Sequence, residues 1–164
     1  MNMLLLWTGI CSLVLAGAWT YFTLAVPSVH LLAWAGFTGW ASHFAAGGGP
    51  TGLKKALAST VSGGIWALIA LNVYSAVGAQ SALLVGVLVG IIAFFMVLQA
   101  HADLLSFIPG AFLGAGTWFG ATVSAGRDGA GITGVTLGVL ASMVIGAFLG
   151  YVNEAGGKTL SGAK

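Results

Sequence analysis

Few residues in this chain could do chemistry. Three histidines, three acidic and five basic residues are spread over 164 positions. His43 stands in the stretch GWASHFAAGGGP, just before Phe44 and a Gly47-Gly48-Gly49-Pro50 cluster. An ionisable side chain in an apolar run is costly and tends to face a cavity or a partner. Two readings stand for His43: a neutral ring bonded to nearby backbone or hydroxyl, or the lining of a polar path that contacts a small solute. Asp103, with His101 beside it, precedes Phe107, Ile108 and Pro109. It reads either as a cap on the first amides of the next helix or as a mouth carboxylate that attracts cations and bonds amides or ammonium. Glu154 and Arg127-Asp128 read as loop groups. No second ligand stands at metal-binding spacing from His43, so no metal is expected. Cys11 is the only cysteine, which excludes an internal disulfide and a thiolate metal cluster. No Ser-His-acid set, HExxH, paired acidic motif, haem or flavin signature is present. No glycine run continues as a phosphate loop. The chain reads as a non-enzyme without a cofactor.

The elements that must hold these residues are membrane helices. Hydrophobic residues make up 59% of the chain and charged residues 5%, where a soluble domain carries about 25% charged. Mean hydropathy is +1.04. The net charge of +2 comes without a basic stripe, which excludes a nucleic-acid surface. Apolar runs of the length needed to cross about 30 Å of hydrocarbon recur at residues 3–26, 29–46, 56–77, 81–100, 104–124 and 131–152. The expectation is therefore an all-α polytopic protein with six transmembrane helices, one transmembrane domain over residues 1–154 and a flexible cytoplasmic tail over 155–164. The N-terminal run lacks a basic leader segment and continues through Val26, so it reads as a retained helix and not a cleaved signal. Lys54, Lys55, Lys158 and Lys164 fall on one side of such a layout and Arg127 on the other. This places both termini in the cytoplasm.

A 75-residue step lays Phe37 on Phe112, Gly39 on Gly114, Phe44 on Phe119, Ala46 on Ala121 and Gly63 on Gly138. It suggests halves 1–78 and 79–154 of three spans each, which would be inverted relative to one another. Gly134, Gly138, Ser142, Gly146 and Gly150 repeat every four residues in the last span. They predict a close helix contact, within the chain or between copies. Trp34, Trp40, Trp66 and Trp118 lie inside their spans and read as packing or as an aromatic constriction.

With its stretch WAGFTGWASHFAAGG (34–48), its Gly-rich exit and its span layout, the chain resembles the DUF1097 family of small bacterial inner-membrane proteins. The resemblance implies a bacterial inner membrane and carries no assigned active residue. The reading of the residues is a small channel or facilitator for a small neutral or weakly polar solute. His43, Asp103, Gly47 and Gly48 would line it, and Trp40, Phe44, Trp118 and Phe119 would narrow it. Its expected partners are the lipid bilayer and further copies of itself. The alternatives are a non-transporting structural or partner-binding subunit and a secondary transporter.

Overall fold

The computed structural model describes residues 2–77, 81–128 and 131–163, without the side chains of 123–128 and 131–135. Arg127, Asp128 and Gly134 therefore fall outside the described side chains, and Lys164 outside the described residues. Six α-helices follow one another: α1 (Met3–Ala25), α2 (Ala33–Ala45), α3 (Gly49–Val77), α4 (Ala82–Leu98), α5 (Ile108–Asp128) and α6 (Gly131–Ser161). Short 3-10 turns stand at Pro27–Val29, Gln99–His101 and Asp103–Leu105. No strand occurs among the described residues. In lipid every backbone polar group needs an internal partner, which helices supply. Many of the described hydroxyls follow the same rule, whereas the buried Ser59 Oγ has no partner among the described residues. Ser12, Thr38, Ser42, Thr60, Thr117, Thr122 and Ser142 each donate to the carbonyl four residues earlier, so none of these is stranded in apolar surroundings.

Four helical stretches among the described residues are long and apolar enough to cross a membrane: Met3–Ala25, Gly49–Val77, Ala82–His101 and Thr136–Ser161. The second expected span is broken. Residues 26–32 hold the 3-10 turn and a left-handed His30 (φ 51°), and only the 13 residues of α2 are α-helical. At 1.5 Å per residue α2 is about 20 Å long, short of the hydrocarbon thickness. Pro109 is the second residue of α5, where its missing N–H costs no helical bond.

Two boundaries differ most from the sequence reading. The third helix starts at Gly49 and not near residue 56, so Lys54 and Lys55 are helical. Gly47, Gly48 and Gly49 have φ of 97°, 69° and 62°, and this left-handed turn reverses the chain within four residues. Pro50 then sits in the first turn of α3, where it fits a helix start. The final helix runs on to Ser161, so the segment expected to be a loose tail is helical for most of its length. It has something to pack on: Gly156 lies against Cys11 and Gly157 against Thr8, both in α1.

Packing is pairwise and close. α2 lies mainly along α6, α5 mainly along α3, α1 along α6 and α4 along α3. Gly39 faces the carbonyl of Met143 and Gly146 that of Gly36. In the other pair Gly114 faces the carbonyl of Thr60 and Gly63 that of Ala111. Gly138 and Gly150 meet His30 and Trp40, so the described part of the four-residue stripe on α6 is used inside the chain. The core is built from small residues, with Ala35, Ala67, Ala111 and Val139 fully buried among Ile92, Met96, Trp118 and Met143. Among the described residues these helices pack backbone against backbone at their crossings.

Candidate functional site

One end of the bundle gathers the polar residues. α3 and α6 are 29 and 31 residues long, about 44 and 46 Å at 1.5 Å per residue. Both exceed the hydrocarbon core, so their ends reach into more polar surroundings. The start of α3 and the end of α6 meet at one carboxylate. Glu154 Oε2 accepts from His43 Nε2 at 2.8 Å and from the Gly49 backbone N–H at 2.7 Å, and Oε1 accepts from Lys158 Nζ at 2.6 Å. His43 is fully buried and the Glu154 side chain 16% exposed. Facing a carboxylate oxygen, His43 Nε2 is the donor of this bond. Tyr151 and Phe44 set their rings edge-on to the imidazole, at centroid distances of 5.9 and 5.5 Å. A side chain at Gly48 would overlap the Glu154 carboxylate, so glycine there admits it. The anion also lies at the positive end of the long α3 dipole. The cluster thus ties α2, the α2–α3 turn and α6 together.

Three further groups of polar contacts link the helices, two of them near this end and one about 20 Å along α3, at Ser62 and Trp66. Lys55 Nζ donates to Asp103 Oδ1 at 2.9 Å and to Ser106 Oγ at 3.0 Å. Gln99 Oε1 accepts from Ser62 Oγ and from the Trp66 indole N–H. Asn153 Nδ2 donates to Ser12 Oγ at 2.7 Å. Asp103 is not the expected cap: α5 starts five residues later, and the carboxylate is 90% exposed on Lys55. An ion pair so exposed is worth at most about 1 kcal/mol. Lys55→Met is therefore expected to lower thermal stability in detergent by no more than about that amount. A larger loss would show that the pair is shielded.

The residues singled out in the sequence do not share one cavity. His43, Trp40 and Gly48 converge on α6, through Glu154 and Gly150. Trp118 is buried against Gly64 of α3, with Phe119 partly buried at the same core. Phe44 is largely exposed, Gly47 has open space around it, and Asp103 is held on Lys55. Glu154, taken as a loop group, is inside α6 and is the partner of His43. The four-residue stripe carried the signal, since it continues from Gly150 to Glu154 and Lys158.

A larger concavity than any at this cluster lies between α2 and α5 among the described residues. It is a groove of about 680 Å³, open on its outer side and lined by Trp34, Thr38, Ile108, Pro109, Phe112, Leu113, Gly116 and Thr117. The two helices run antiparallel along it, with the Trp34 ring at the start of α2 close to Gly120 late in α5. No lining residue is charged. Among the described residues no three His, Cys, Asp or Glu side chains are placed to hold a metal ion.

Residues 9–158 match the model of a family described as "Protein of unknown function (DUF1097)". The chain belongs to the DUF1097 family. Among its relatives is "Inner membrane protein YcdZ" of Escherichia coli (strain K12), 35% identical over 159 residues that cover 96% of this chain and 88% of that one. The Salmonella typhimurium protein of the same name is also 35% identical, covering 96% and 90%. "Uncharacterized protein YahC" of E. coli is 34% identical over 163 residues, covering 95% and 92%. No solved structure matches the chain. The DUF1097 assignment agrees with the apolar helices: this is a helical membrane protein.

Proposed function

We propose that this chain is a non-catalytic channel or facilitator of the bacterial inner membrane, carrying a small neutral or weakly polar solute. The observation that carries this reading is the uncharged groove between α2 and α5. It runs between one helix too short to span and another that starts from a non-helical stretch. The path follows this groove, and a second copy laid over its open side supplies the missing wall, so the working unit is a homo-oligomer. The polar end with Lys54, Lys55 and Lys158 faces the cytoplasm, along with both termini. The name of the YcdZ relatives, inner membrane proteins, supports the choice of membrane.

Contacts repeated between two three-helix halves support a transport role as well. Gly36 matches Ala111 and Gly39 matches Gly114, a 75-residue step in the α2–α5 pair. Thr60 matches Met143 and Gly63 matches Gly146, an 83-residue step in the α3–α6 pair. The two helix pairs each join one half to the other through the same glycine-on-carbonyl contacts. Gly146, and not Gly138, is thus the counterpart of Gly63. On this matching the groove lies between equivalent helices, where the two halves meet.

A second reading, a partner-binding subunit, is favoured by the closely packed, alanine-rich core. Permeability decides between them. Purified full-length protein in liposomes is expected to raise the permeability of at least one of water, glycerol, urea, ammonia and acetamide above empty vesicles, read by stopped-flow light scattering. Folded protein that conducts none of the panel would leave the partner-binding reading in its place.

A further inference from the structure

We infer that the α2–α5 groove recognises uncharged solutes by the N–H or O–H groups they donate to the hydroxyl oxygens of Thr38 and Thr117. The inference rests on the facilitator reading and adds to it a binding site and a solute class. A threonine hydroxyl has one proton and two lone pairs. Both protons here are already used: Thr38 Oγ1 donates to the Trp34 carbonyl at 3.1 Å and Thr117 Oγ1 to the Leu113 carbonyl at 2.7 Å. What each hydroxyl has left is acceptor capacity. Of the other lining residues, Ile108, Pro109, Phe112, Leu113 and Gly116 bring no polar side-chain atom, and Pro109 has no backbone N–H. Trp34 contributes the single side-chain donor of the lining, its indole N–H. A Cβ on Gly116 would meet nothing within 4 Å, so there is open space next to Thr117.

The lining therefore holds two hydroxyl oxygens with acceptor capacity, on half-buried Thr38 and buried Thr117, one indole N–H and no charge. An ion entering it would shed hydration with no counter-charge to replace it, which excludes ammonium and carboxylates. A solute that only accepts would find the indole alone. Primary amides, urea and simple alcohols satisfy both oxygens, or one oxygen and the indole. These are the solutes the groove fits.

The test uses the full-length chain in liposomes with acetamide, urea and the donor-free analogue N,N-dimethylacetamide as probes. In the wild-type protein, the permeability added over empty vesicles is expected to be larger for acetamide than for N,N-dimethylacetamide, a comparison that needs no variant. Thr38→Val/Thr117→Val keeps the side-chain shape and removes both oxygens. It is expected to lower the added acetamide and urea permeability about tenfold, the worth of one or two net hydrogen bonds. Thr38→Ser/Thr117→Ser puts the oxygens back and is expected to rescue the flux. Wild-type flux that shows no preference for donors, or that survives the valine pair in folded protein, overturns the inference while leaving the facilitator reading intact. The groove would then be an apolar crease filled by an acyl chain. Absence of all wild-type flux removes the facilitator reading, and this inference with it.

Discussion

Glu154→Ala is expected to destabilise the protein by about 3 kcal/mol, the usual consequence of removing one partner from a buried pair. The methyl group leaves three donors without their acceptor. His43 Nε2 is the most expensive, because the ring is fully buried and has no water to turn to. The Gly49 N–H loses the bond that holds the start of α3 against α6. Lys158 costs least, since it lies half-exposed four residues along the same helix and can reach water. Glu154→Gln separates charge from hydrogen bonding. The amide keeps an oxygen for His43 and Gly49 but gives up the attraction of Lys158 and of the α3 dipole, so its loss is expected near 1 kcal/mol. His43→Phe removes the buried donor along with its need for a partner and is expected to cost less than Glu154→Ala. In a cycle of the two variants the double mutant is expected to be more stable than the sum of the single losses predicts, by about 1 kcal/mol or more. The measurement is reversible unfolding, or thermal melting in one detergent. A Glu154→Ala protein within about 0.5 kcal/mol of wild type would mean that the contact contributes nothing net.

The helical class and the helix count were legible because lipid imposes a simple rule. Runs such as residues 3–25 and 82–98 must be helical to satisfy their own backbone, and their apolar side chains need no particular partner. Where that rule weakens, the sequence stops predicting. Residues 26–32 are as apolar as a span, yet Pro27 removes a donor and fixes φ, and the Leu32 N–H turns to the Ser142 hydroxyl at 2.8 Å instead of a helical carbonyl. That partner is more than a hundred residues away, and no local pattern announces it. The same holds for Glu154. Its neighbours Asn153, Gly156 and Gly157 look like an unstructured tail, but the glycines let α6 press on Thr8 and Cys11 of α1, and that contact keeps the helix going. His43 was legible as an expensive residue in need of company. Its companion was not, because pairing depends on how the Gly47–Gly49 turn folds back toward α6. Thr38 and Thr117 gave no signal at all. Isolated threonines in apolar helices usually only bond the preceding turn, as these two do, and only the juxtaposition of α2 and α5 puts them in one groove.

Gly146→Ala is expected to do as much damage as any polar substitution, although it adds a single methyl group. A Cβ at this position would overlap the backbone carbonyl of Gly36, and neither partner is a side chain that can rotate away. The only relief is to move α2 away from α6 along the whole contact. That forfeits the packing that holds helices together in a medium where lipid tails compete equally well for apolar surface. Overpacking of this kind costs about 1–3 kcal/mol and occasionally more. Gly146→Leu is therefore expected to keep α2 from docking at all, read as loss of the folded monodisperse peak on size exclusion. Gly63 faces the carbonyl of Ala111 in the same way, so Gly63→Ala is expected to cost a similar amount through the α3–α5 pair. Gly90→Ala is the matched control. A Cβ there meets nothing within 4 Å, because this side of α4 faces outward. By helix propensity alone that change is expected to be neutral or stabilising by up to about 1 kcal/mol. The three variants share one chemical change and differ only in what the methyl group meets. Equal melting temperatures across them would mean that the helices are not in backbone contact. Large, similar losses at 63 and 146 with none at 90 would establish that both crossings depend on glycine, and would add weight to the matching of the two halves.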